Sequence, residues 1–318
     1  MVQQSDKPCV ILLSMGGPET TADVREFLYN IFCDRSLIRL PGGRFFQRSF
    51  ARLISSLRCS KVQRHYDSIG GGSPLLMWTT KQAAQIERLL NRKVPGVRCL
   101  VGMRYFHPLI EDTLAAALEA GSRRFIFLPM YPQFSRATTG SSFQVVRRIT
   151  EGREVECIFI DDFHDDPGYT RLLKEHIDVH ISADETLLFS AHSLPQRFVD
   201  EGDPYVQQVR ISAGLAAGDR EYALSYQSRT GPVKWVGPDT IVEARRLLSD
   251  PRKKLFVVPL SFVCDHIETL YEIDIDLRQQ LGADGSRIRR MPMLNGNPGF
   301  SEVLADIVTR KGGLHGLG

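Results

Sequence analysis

Short apolar runs recur along the chain, each long enough for one buried strand. Six of them stand out, at residues 10–13, 97–101, 125–128, 186–189, 222–224 and 255–260. Stretches between the runs place apolar residues three and four positions apart, as amphipathic helices do, at 79–90, 109–120 and 241–248. Buried strands that alternate with such helices are typical of a parallel sheet flanked by helices. The pattern therefore predicts an α/β fold.

Two parts of the chain resemble each other weakly. Residues 9–18 (CVILLSMGGP) and 186–195 (TLLFSAHSLP) each form a strand pattern that runs into a small-residue loop closed by proline. Residues 123–130 and 253–260 each combine a basic pair, an apolar strand and a proline. The repeat predicts two similar Rossmann-like domains, each a parallel sheet flanked by helices, with the active-site cleft between them. We expect domains at 1–168 and 169–299, and a C-terminal helix and tail at 300–318 that packs back on the first domain.

The interval between matching strands is longer in the first half (residues 10–125) than in the second (187–255). This difference indicates an insertion, which we place at about residues 27–74. The insertion mixes aromatic residues such as Phe45 and Phe46 with arginines such as Arg48. Such a stretch is typical of a lid over an apolar ligand, of a surface that meets a membrane or partner, or of an ordinary helical subdomain. The residues alone leave these interpretations open.

Composition narrows the range of functions. There are 40 Lys and Arg against 37 Asp and Glu, a net charge of +3, and basic residues cluster only in pairs. This balance argues against nucleic acid as a partner. The polar N-terminus and the lack of an apolar stretch of about 18 residues predict a cytoplasmic protein without signal peptide or membrane span. The six cysteines are scattered without CxxC spacing, so we expect reduced thiols and no zinc site or iron–sulfur cluster.

Polar residues follow the carboxyl ends of the predicted strands, where open α/β sheets bind ligands. One such segment, 225–232, reads SYQSRTGP. Nucleotide binding is a weak alternative, because residues 15–18 (MGGP) fit neither GxGxxG nor a P-loop. His192 leaves the sheet directly after one strand, where it is either a hydrogen-bonded structural residue or a catalytic one.

The segment 265–276 (DHIETLYEIDID) carries a repeated acidic pattern. Asp265 and Glu268 resemble a capping box, which predicts a helix with Asp265 as its N-cap. Glu268, Glu272 and Asp276 then recur every four residues, with no Lys or Arg four residues away. This stripe is typical of a path for a divalent cation or for protons, or of a solvated helix face. His192 and Glu268 together would bind a metal weakly and accept protons, so we expect a transient metal.

Nine motifs resemble those of the ferrochelatase family in order and spacing, over residues 9–310. They are MGGPET (15–20), IGGGSP (69–74), RYFHP (104–108), TTGSS (138–142), FSAHSLP (189–195), GDPY (202–205), WVGP (235–238), DHIETLY (265–271) and LNGNP (294–298). The resemblance implies insertion of Fe²⁺ into protoporphyrin IX with loss of two pyrrole protons, the last step of haem biosynthesis. Iron is then a substrate, and no tightly bound cofactor is expected.

The resemblance also implies roles for individual residues. His192 matches the family's active-site histidine and Glu268 the glutamate opposite it, with His192 mainly a proton acceptor and both residues the metal site. Four residues match the family's pathway for metal and protons: Glu272, Asp276, Asp265 and His266. At position 276 this chain has Asp where the family often has Glu. Two groups of residues match porphyrin-binding positions of the family. The positions that hold the propionates are matched by Arg58, Tyr66 and Ser73. The pocket walls are matched by Met15, Arg104, Tyr105, Trp235 and Phe262.

Three further expectations follow from the resemblance. The insertion resembles the family's lip, so we expect peripheral contact with the inner face of a membrane. Some relatives hold a [2Fe–2S] cluster with cysteines of a C-terminal extension. No cysteine follows Cys264 in this chain, so no cluster is expected. We expect a monomer or a homodimer. Relatives that act on coproporphyrin III commonly carry Tyr where Met15 stands, so Met15 favours protoporphyrin IX. The alternatives are a coproporphyrin III ferrochelatase, a cobalt or nickel chelatase for another tetrapyrrole, and a non-catalytic porphyrin carrier.

Overall fold

A computed structural model describes residues 7–35, 37–38 and 43–314 of the chain. Residues 36 and 39–42 of the expected insertion and 315–318 of the expected tail lie outside the described residues. The strands are β1 (Cys9–Ser14), β2 (Arg98–Met103), β3 (Arg124–Pro129), β4 (Glu156–Phe159), β5 (Glu185–His192), β6 (Tyr222–Gln227), β7 (Lys254–Pro259) and β8 (Ile288–Arg290).

The helices lie between and after these strands. They are α1 (Val24–Cys33), α2 (Gly43–Asp67), α3 (Leu75–Leu90), α4 (Ile110–Glu119), α5 (Ser141–Thr150), α6 (Pro167–His180), α7 (Gln196–Asp200), α8 (Tyr205–Ala217), α9 (Thr240–Leu248), α10 (Ile267–Leu270), α11 (Arg278–Leu281) and α12 (Pro298–Lys311). Short 3₁₀ helices form at Thr21–Asp23 and Gly282–Arg287, and π-helical turns at Arg136–Gly140 and Glu272–Leu277.

The chain divides into two compact units. The first holds the described parts of Met1–Met130, Arg136–Asp161 and Asn295–Gly318, and the second holds Tyr131–Ser135 and Asp162–Leu294. The main boundary thus follows Asp161, whereas the sequence placed it after residue 168. The return to the first unit begins at Asn295, whereas the sequence placed it after residue 299.

Both units contain a four-stranded parallel sheet, in the order β2-β1-β3-β4 in the first and β6-β5-β7-β8 in the second. The matching sequence segments occupy equivalent strands, because β1 and β5 are second in their sheets and β3 and β7 are third. The predicted fold of two similar parallel α/β domains is confirmed. The cleft expected from the sequence stays a prediction.

Burial explains why the central strands are so apolar. Every residue of β1 is buried, as expected for a parallel strand covered by helices on both faces. In the first unit the apolar core joins β1 and β3 to α4 and α5. In the second it joins β5 and β7 to α9 and to the segment that ends at Leu281. The carboxyl ends of both central strands are therefore held on rigid supports.

The C-terminal helix α12 belongs to the first unit. Asn297 caps it by accepting a hydrogen bond from the backbone N–H of Phe300 at 3.2 Å. Ser301 Oγ donates to Gln85 Oε1 of α3 at 2.9 Å, and Gln82 of the same helix donates to the carbonyl of Asn295 at 2.6 Å. These contacts hold α12 against α3. Among the described residues, no helix is both long enough and apolar enough to cross a lipid bilayer.

Candidate active site

His192 is the last residue of β5, and its backbone is fixed on both sides. Its N–H donates to Ser261 Oγ at 3.2 Å, and its carbonyl accepts a hydrogen bond from the Tyr205 hydroxyl at 2.9 Å. The ring nitrogen Nδ1 lies 2.5 Å from the carbonyl oxygen of Ser193, which can only accept, so Nδ1 carries the proton. Nε2 therefore presents a lone pair, and it lies 3.7 Å from Glu268 Oε2. Burial lowers the pKa of His192, which favours this neutral form.

Glu268 is positioned by the start of α10. The N-cap is His266, whose Nδ1 accepts the backbone N–H of Glu268 at 3.1 Å. The prediction of Asp265 as the N-cap with Glu268 as its capping partner is therefore wrong. The reciprocal bond goes to Thr269 Oγ1, which accepts the His266 N–H at 3.1 Å and donates to Asp265 Oδ1 at 3.0 Å. Burial lowers the pKa of His266 to about 3, so this cap is neutral.

Ser228 joins the two carboxylates nearest to His192. Its hydroxyl lies 3.2 Å from Glu268 Oε2 and 2.5 Å from Glu272 Oε2. The backbone of Ser228 has φ +67, a conformation that a non-glycine residue adopts at a cost and that is common at functional sites. The preceding Gln227 donates to the carbonyl of Glu268 at 2.9 Å and to Glu272 Oε2 at 3.3 Å. The end of β6 thus aligns two carboxylates through consecutive residues.

The acidic pair holds protons near neutral pH. Burial raises the pKa of Glu268 to about 7, and the Ser228 hydrogen bond opposes this shift. Burial also raises the pKa of Glu272 to about 7, and the charge of Glu268 adds to the effect. Because the hydroxyl hydrogen of Ser228 can be donated to only one carboxylate at a time, the other one is the natural holder of a proton. The site therefore combines an imidazole lone pair with carboxylates that gain and lose protons near pH 7.

The expected stripe of carboxylates at every fourth residue is interrupted after Glu272. A π-helical turn covers Glu272–Leu277, in which the Asp276 N–H donates to the carbonyl of Tyr271 at 2.8 Å, five residues back. Asp276 Oδ2 accepts from Gln280 Nε2 at 2.8 Å. The wider turn removes Asp276 from α-helical spacing. Turns of this kind are frequent at functional sites.

Arg290, at the end of β8, ties both sides of this acidic segment together. Its guanidinium lies 3.0 Å from Asp265 Oδ1 and 2.8 Å from Asp274 Oδ2, and only 9% of its side chain is exposed. Asp265 is therefore engaged as an ion-pair partner, which explains why it does not cap α10. Arg290 also fixes the π-helical turn through Asp274.

We expect Arg290→Met to lower the free energy of unfolding by about 3 kcal/mol, because it leaves two largely buried carboxylates without their cation. Urea denaturation followed by circular dichroism measures this loss. Arg252→Met is the matched control, since the Arg252 side chain is 89% exposed beside Asp250 and should be replaceable without measurable effect. Equal stability losses in the two variants would contradict the role assigned to Arg290.

The loop after β1 gathers the expected porphyrin residues of the first unit. A Cβ atom on Gly17 would lie 2.7 Å from Ser73 Oγ and 3.8 Å from the Tyr66 hydroxyl, so glycine is required there. The backbone N–H of Ser73 donates to the carbonyl of Pro18 at 2.8 Å. The structure thus brings Tyr66 and Ser73 together. Arg58 is exposed on α2, with its guanidinium 5.8 Å from the centroid of the Phe32 ring.

Arg104 and Tyr105 follow β2 and lie against the start of the loop after β1. The Arg104 N–H donates to the carbonyl of Ser14 at 2.8 Å, and the Tyr105 N–H donates to that of Met15 at 2.9 Å. Met15 packs against a cluster of Phe27, Tyr105 and Phe106. Burial raises the pKa of Tyr105, so its hydroxyl stays protonated. These side chains form a buried apolar cluster that supports Met15.

Trp235 and Phe262 belong to the second unit. The Phe262 ring meets the His266 ring edge-on, with centroids 4.4 Å apart. Trp235 pairs with Pro195 in an isolated antiparallel bridge, and Pro195 lies three residues after His192 in the chain. Its indole N–H is buried and has no hydrogen-bond partner among the described residues. Phe262 thus contacts His266 through its ring, and Trp235 adjoins the segment after His192 through its backbone.

Sequence reasoning missed several residues of these networks. Ser228 and Gln227 lie in the polar segment 225–232 at the end of β6, which was the available signal, but nothing in it singled them out. Asp34 and Arg290 gave no signal, because their partners are distant in sequence. Asp34 Oδ2 accepts hydrogen bonds from Arg104 Nη2 at 2.6 Å, the Tyr105 hydroxyl at 2.9 Å and Ser141 Oγ at 3.0 Å.

The fold is shared with solved metal chelatases. SirB from Bacillus subtilis, solved with Fe³⁺, shares the fold with a TM-score of 0.56 at 12% identity, over 96% of this chain and 95% of its own. The sirohydrochlorin chelatase SirB from the subspecies spizizenii, solved with cobalt, has a TM-score of 0.53 at 13% identity, over 96% and 95%. At these identities the likeness establishes the fold alone.

The sequence comparisons establish the family. The ferrochelatase family model matches residues 7–312. A ferrochelatase from Geotalea daltonii is 43% identical over 96% of this chain and 98% of the relative, and one from Synechococcus is 44% identical over 95% and 92%. The chain belongs to the ferrochelatase family, as its motifs predicted. It is an enzyme of haem biosynthesis that inserts metal into a porphyrin.

Proposed function

We propose that the protein inserts Fe²⁺ into protoporphyrin IX, releasing two protons and forming protohaem. The observation that carries this proposal is the convergence of His192 Nε2, Glu268 and Glu272 in the second unit. The pair His192 Nε2 and Glu268 Oε2, 3.7 Å apart, offers one nitrogen and one oxygen ligand. Two ligands hold a cation weakly, which suits a metal that must be passed on.

The same residues account for both protons. The lone pair on His192 Nε2 accepts the first pyrrole proton. Glu268 accepts the second and passes it to Glu272 through the Ser228 hydroxyl, which gives its own hydrogen to Glu272 Oε2 and takes the one from Glu268 Oε2. The two contacts, 2.5 Å and 3.2 Å, allow this relay. With both pKa values raised to about 7, the carboxylates can take up and release protons at neutral pH.

Residues of the first unit would hold the porphyrin. The Tyr66 and Ser73 hydroxyls beside Gly17 are donors for a propionate carboxylate, and Arg58 supplies a cation for the same purpose. The partly buried Met15, which packs on the buried cluster of Phe27, Tyr105 and Phe106, suits a porphyrin edge without carboxylates. Protoporphyrin IX has such an edge, because it carries two propionates and two vinyl groups.

Anaerobic mixing of the purified protein with Zn²⁺ or Fe²⁺ and either porphyrin tests this proposal through the shift of the Soret band. We expect faster insertion into protoporphyrin IX than into coproporphyrin III. Faster reaction with coproporphyrin III would overturn the substrate assignment. No catalysed insertion into either would overturn the activity and would favour a porphyrin carrier.

We propose that iron is only a substrate and that the protein carries no iron–sulfur cluster. Burial raises the pKa of the Cys9 thiol to about 12 and that of Cys264 further. Thiols held protonated in this way are poor metal ligands. The iron and sulfide content of the protein purified without added metal tests this assignment.

We propose that α2 places the enzyme on the inner face of a membrane from the cytoplasmic side. Phe46, Leu53 and Leu57 recur at i, i+7 and i+11, so they lie on one helix face, and they are 56%, 55% and 73% exposed. Phe45, near the start of the helix, is 96% exposed. Arginines stand on the same helix, at 44, 48, 52, 58 and 64. Exposed apolar side chains among cations are typical of helices that lie in the interface of anionic membranes.

We expect Phe45→Ser/Leu57→Ser to weaken binding to vesicles of phosphatidylglycerol and phosphatidylcholine by about tenfold, because two large apolar side chains no longer enter the lipid. Cosedimentation measures the bound fraction. Val242→Ser is the matched control, since Val242 is also exposed, at 58%, but lies on α9 of the second unit. Unchanged vesicle binding together with a raised KM for porphyrin would indicate a lid over the substrate instead.

A further inference from the structure

Asp34 neutralises a cation beside the expected porphyrin site. Arg104 Nη2 lies 2.6 Å from Asp34 Oδ2, and the two side chains are 20% and 7% exposed. The Tyr105 and Ser141 hydroxyls donate to the same oxygen, and Arg104 Nε donates to Ser141 Oγ at 2.9 Å. Two nitrogens of the Arg104 guanidinium are thus engaged inside the protein. The group is not offered as a bare cation.

The ion pair of Asp34 and Arg104 lies beside the loop after β1. Arg104 and Tyr105 are hydrogen-bonded to the carbonyls of Ser14 and Met15, at the start of the loop. The hydroxyls of Tyr66 and Ser73 lie beside Gly17, at its end. One end of the loop therefore lies beside two hydroxyl groups. The other presents an arginine whose charge is cancelled.

We propose that Asp34 determines which porphyrins this enzyme accepts. By cancelling the charge of Arg104, it makes the wall beside Met15 suited to a porphyrin edge without carboxylates and unsuited to one with additional propionates. A propionate arriving there would meet the Asp34 carboxylate beside an arginine that is already paired, and it would lose its water without gaining an ion pair. The proposal rests on the proposed function, since it assumes that the porphyrin contacts the Met15 loop.

The inference predicts a change in substrate preference that simple loss of packing would not produce. In Asp34→Asn, Arg104 keeps its charge and loses its counter-ion, so it becomes available to a propionate. We expect the ratio of kcat/KM for coproporphyrin III to that for protoporphyrin IX, measured with Zn²⁺, to rise at least tenfold. Asp34→Ser should shift the ratio in the same direction, and it provides a second test if Asp34→Asn folds poorly.

The double variant Asp34→Asn/Arg104→Met is the matched control. It removes the carboxylate and the cation together, so the ratio should return to within about threefold of the wild-type value. An unchanged ratio in both Asp34→Asn and Asp34→Ser, with insertion into protoporphyrin IX retained, would overturn the role of Asp34. A rise that persists in the double variant would also overturn it, because the effect would not depend on Arg104. Failure of the proposed function is recognised separately, by the absence of catalysed insertion in the wild-type enzyme.

Discussion

His192→Ala should lower kcat for zinc insertion into protoporphyrin IX by about 10³-fold, while the variant still binds the porphyrin. His192 Nε2 supplies the lone pair that takes a pyrrole proton, and a positioned base typically contributes on the order of 10²- to 10⁴-fold. Glu268 and Glu272 do not replace it in the proposed mechanism, because they take up the second pyrrole proton and pass it on through Ser228.

Stopped-flow spectroscopy of the Soret band measures kcat, and quenching of tryptophan fluorescence measures porphyrin binding. Added imidazole should restore part of the lost rate, since it supplies the missing base. His180→Ala is the control, because His180 lies at the end of α6, where its Nδ1 is hydrogen-bonded to the carbonyl of His176 at 2.7 Å. A loss of less than threefold in His192→Ala would remove this residue from the mechanism.

Much of the fold could be predicted from the sequence because the central strands are buried on both faces. β1 and β5 read as continuous apolar runs, and their equivalence followed from the repeated strand–loop pattern. β4 and β8 were missed because each is an edge strand of four or three residues, ECIF and IRR. A strand of three or four residues is too short for its periodicity to be recognised, whereas the six-residue edge strands β2 and β6 were predicted.

The site was only partly predictable for a related reason. Both residue types fit the chemistry; His192 stood out because it ends a predicted strand, and Glu268 because it begins an acidic pattern. The π-helical turn that interrupts the carboxylate stripe after Glu272 contains Asp274, which pairs with Arg290 of β8. This ion pair is a tertiary contact between distant parts of the chain, whereas a helical pattern in one sequence predicts only the local spacing.

The Asp34–Arg104 pair shows the same limit at longer range. The two residues are 70 positions apart, and nothing in the sequence marks Asp34 as the partner of Arg104. Only the packing of α1 against the loop after β2 reveals that the two charges cancel. Net charge alone could not show this, because a value of +3 is the same whether an arginine is paired or free.

Glu268→Gln should lower metal insertion by about 10³-fold and yet make the protein more stable at pH 8. The rate falls because glutamine neither accepts a proton nor offers a charged ligand to the cation. The stability rises because burial lifts the pKa of Glu268 to about 7, from 4.5 without burial. Between those values the folded state binds more protons than the unfolded state, so the stability of the wild-type protein falls as the pH rises through this window.

The pH dependence separates this effect from a general change in packing. Above pH 7 the wild-type protein must hold a buried charge that Glu268→Gln lacks, and we expect a gain of about 2 kcal/mol in the variant. Near pH 5 the wild-type carboxyl is largely protonated in the folded state, so the gain should be much smaller. Urea denaturation at the two pH values measures both, with the exposed Glu302→Gln on α12 as the control that should change neither stability nor turnover. A variant that is less stable than the wild type at pH 8 would show that Glu268 supports the fold, and the conflict between stability and catalysis inferred here would be wrong.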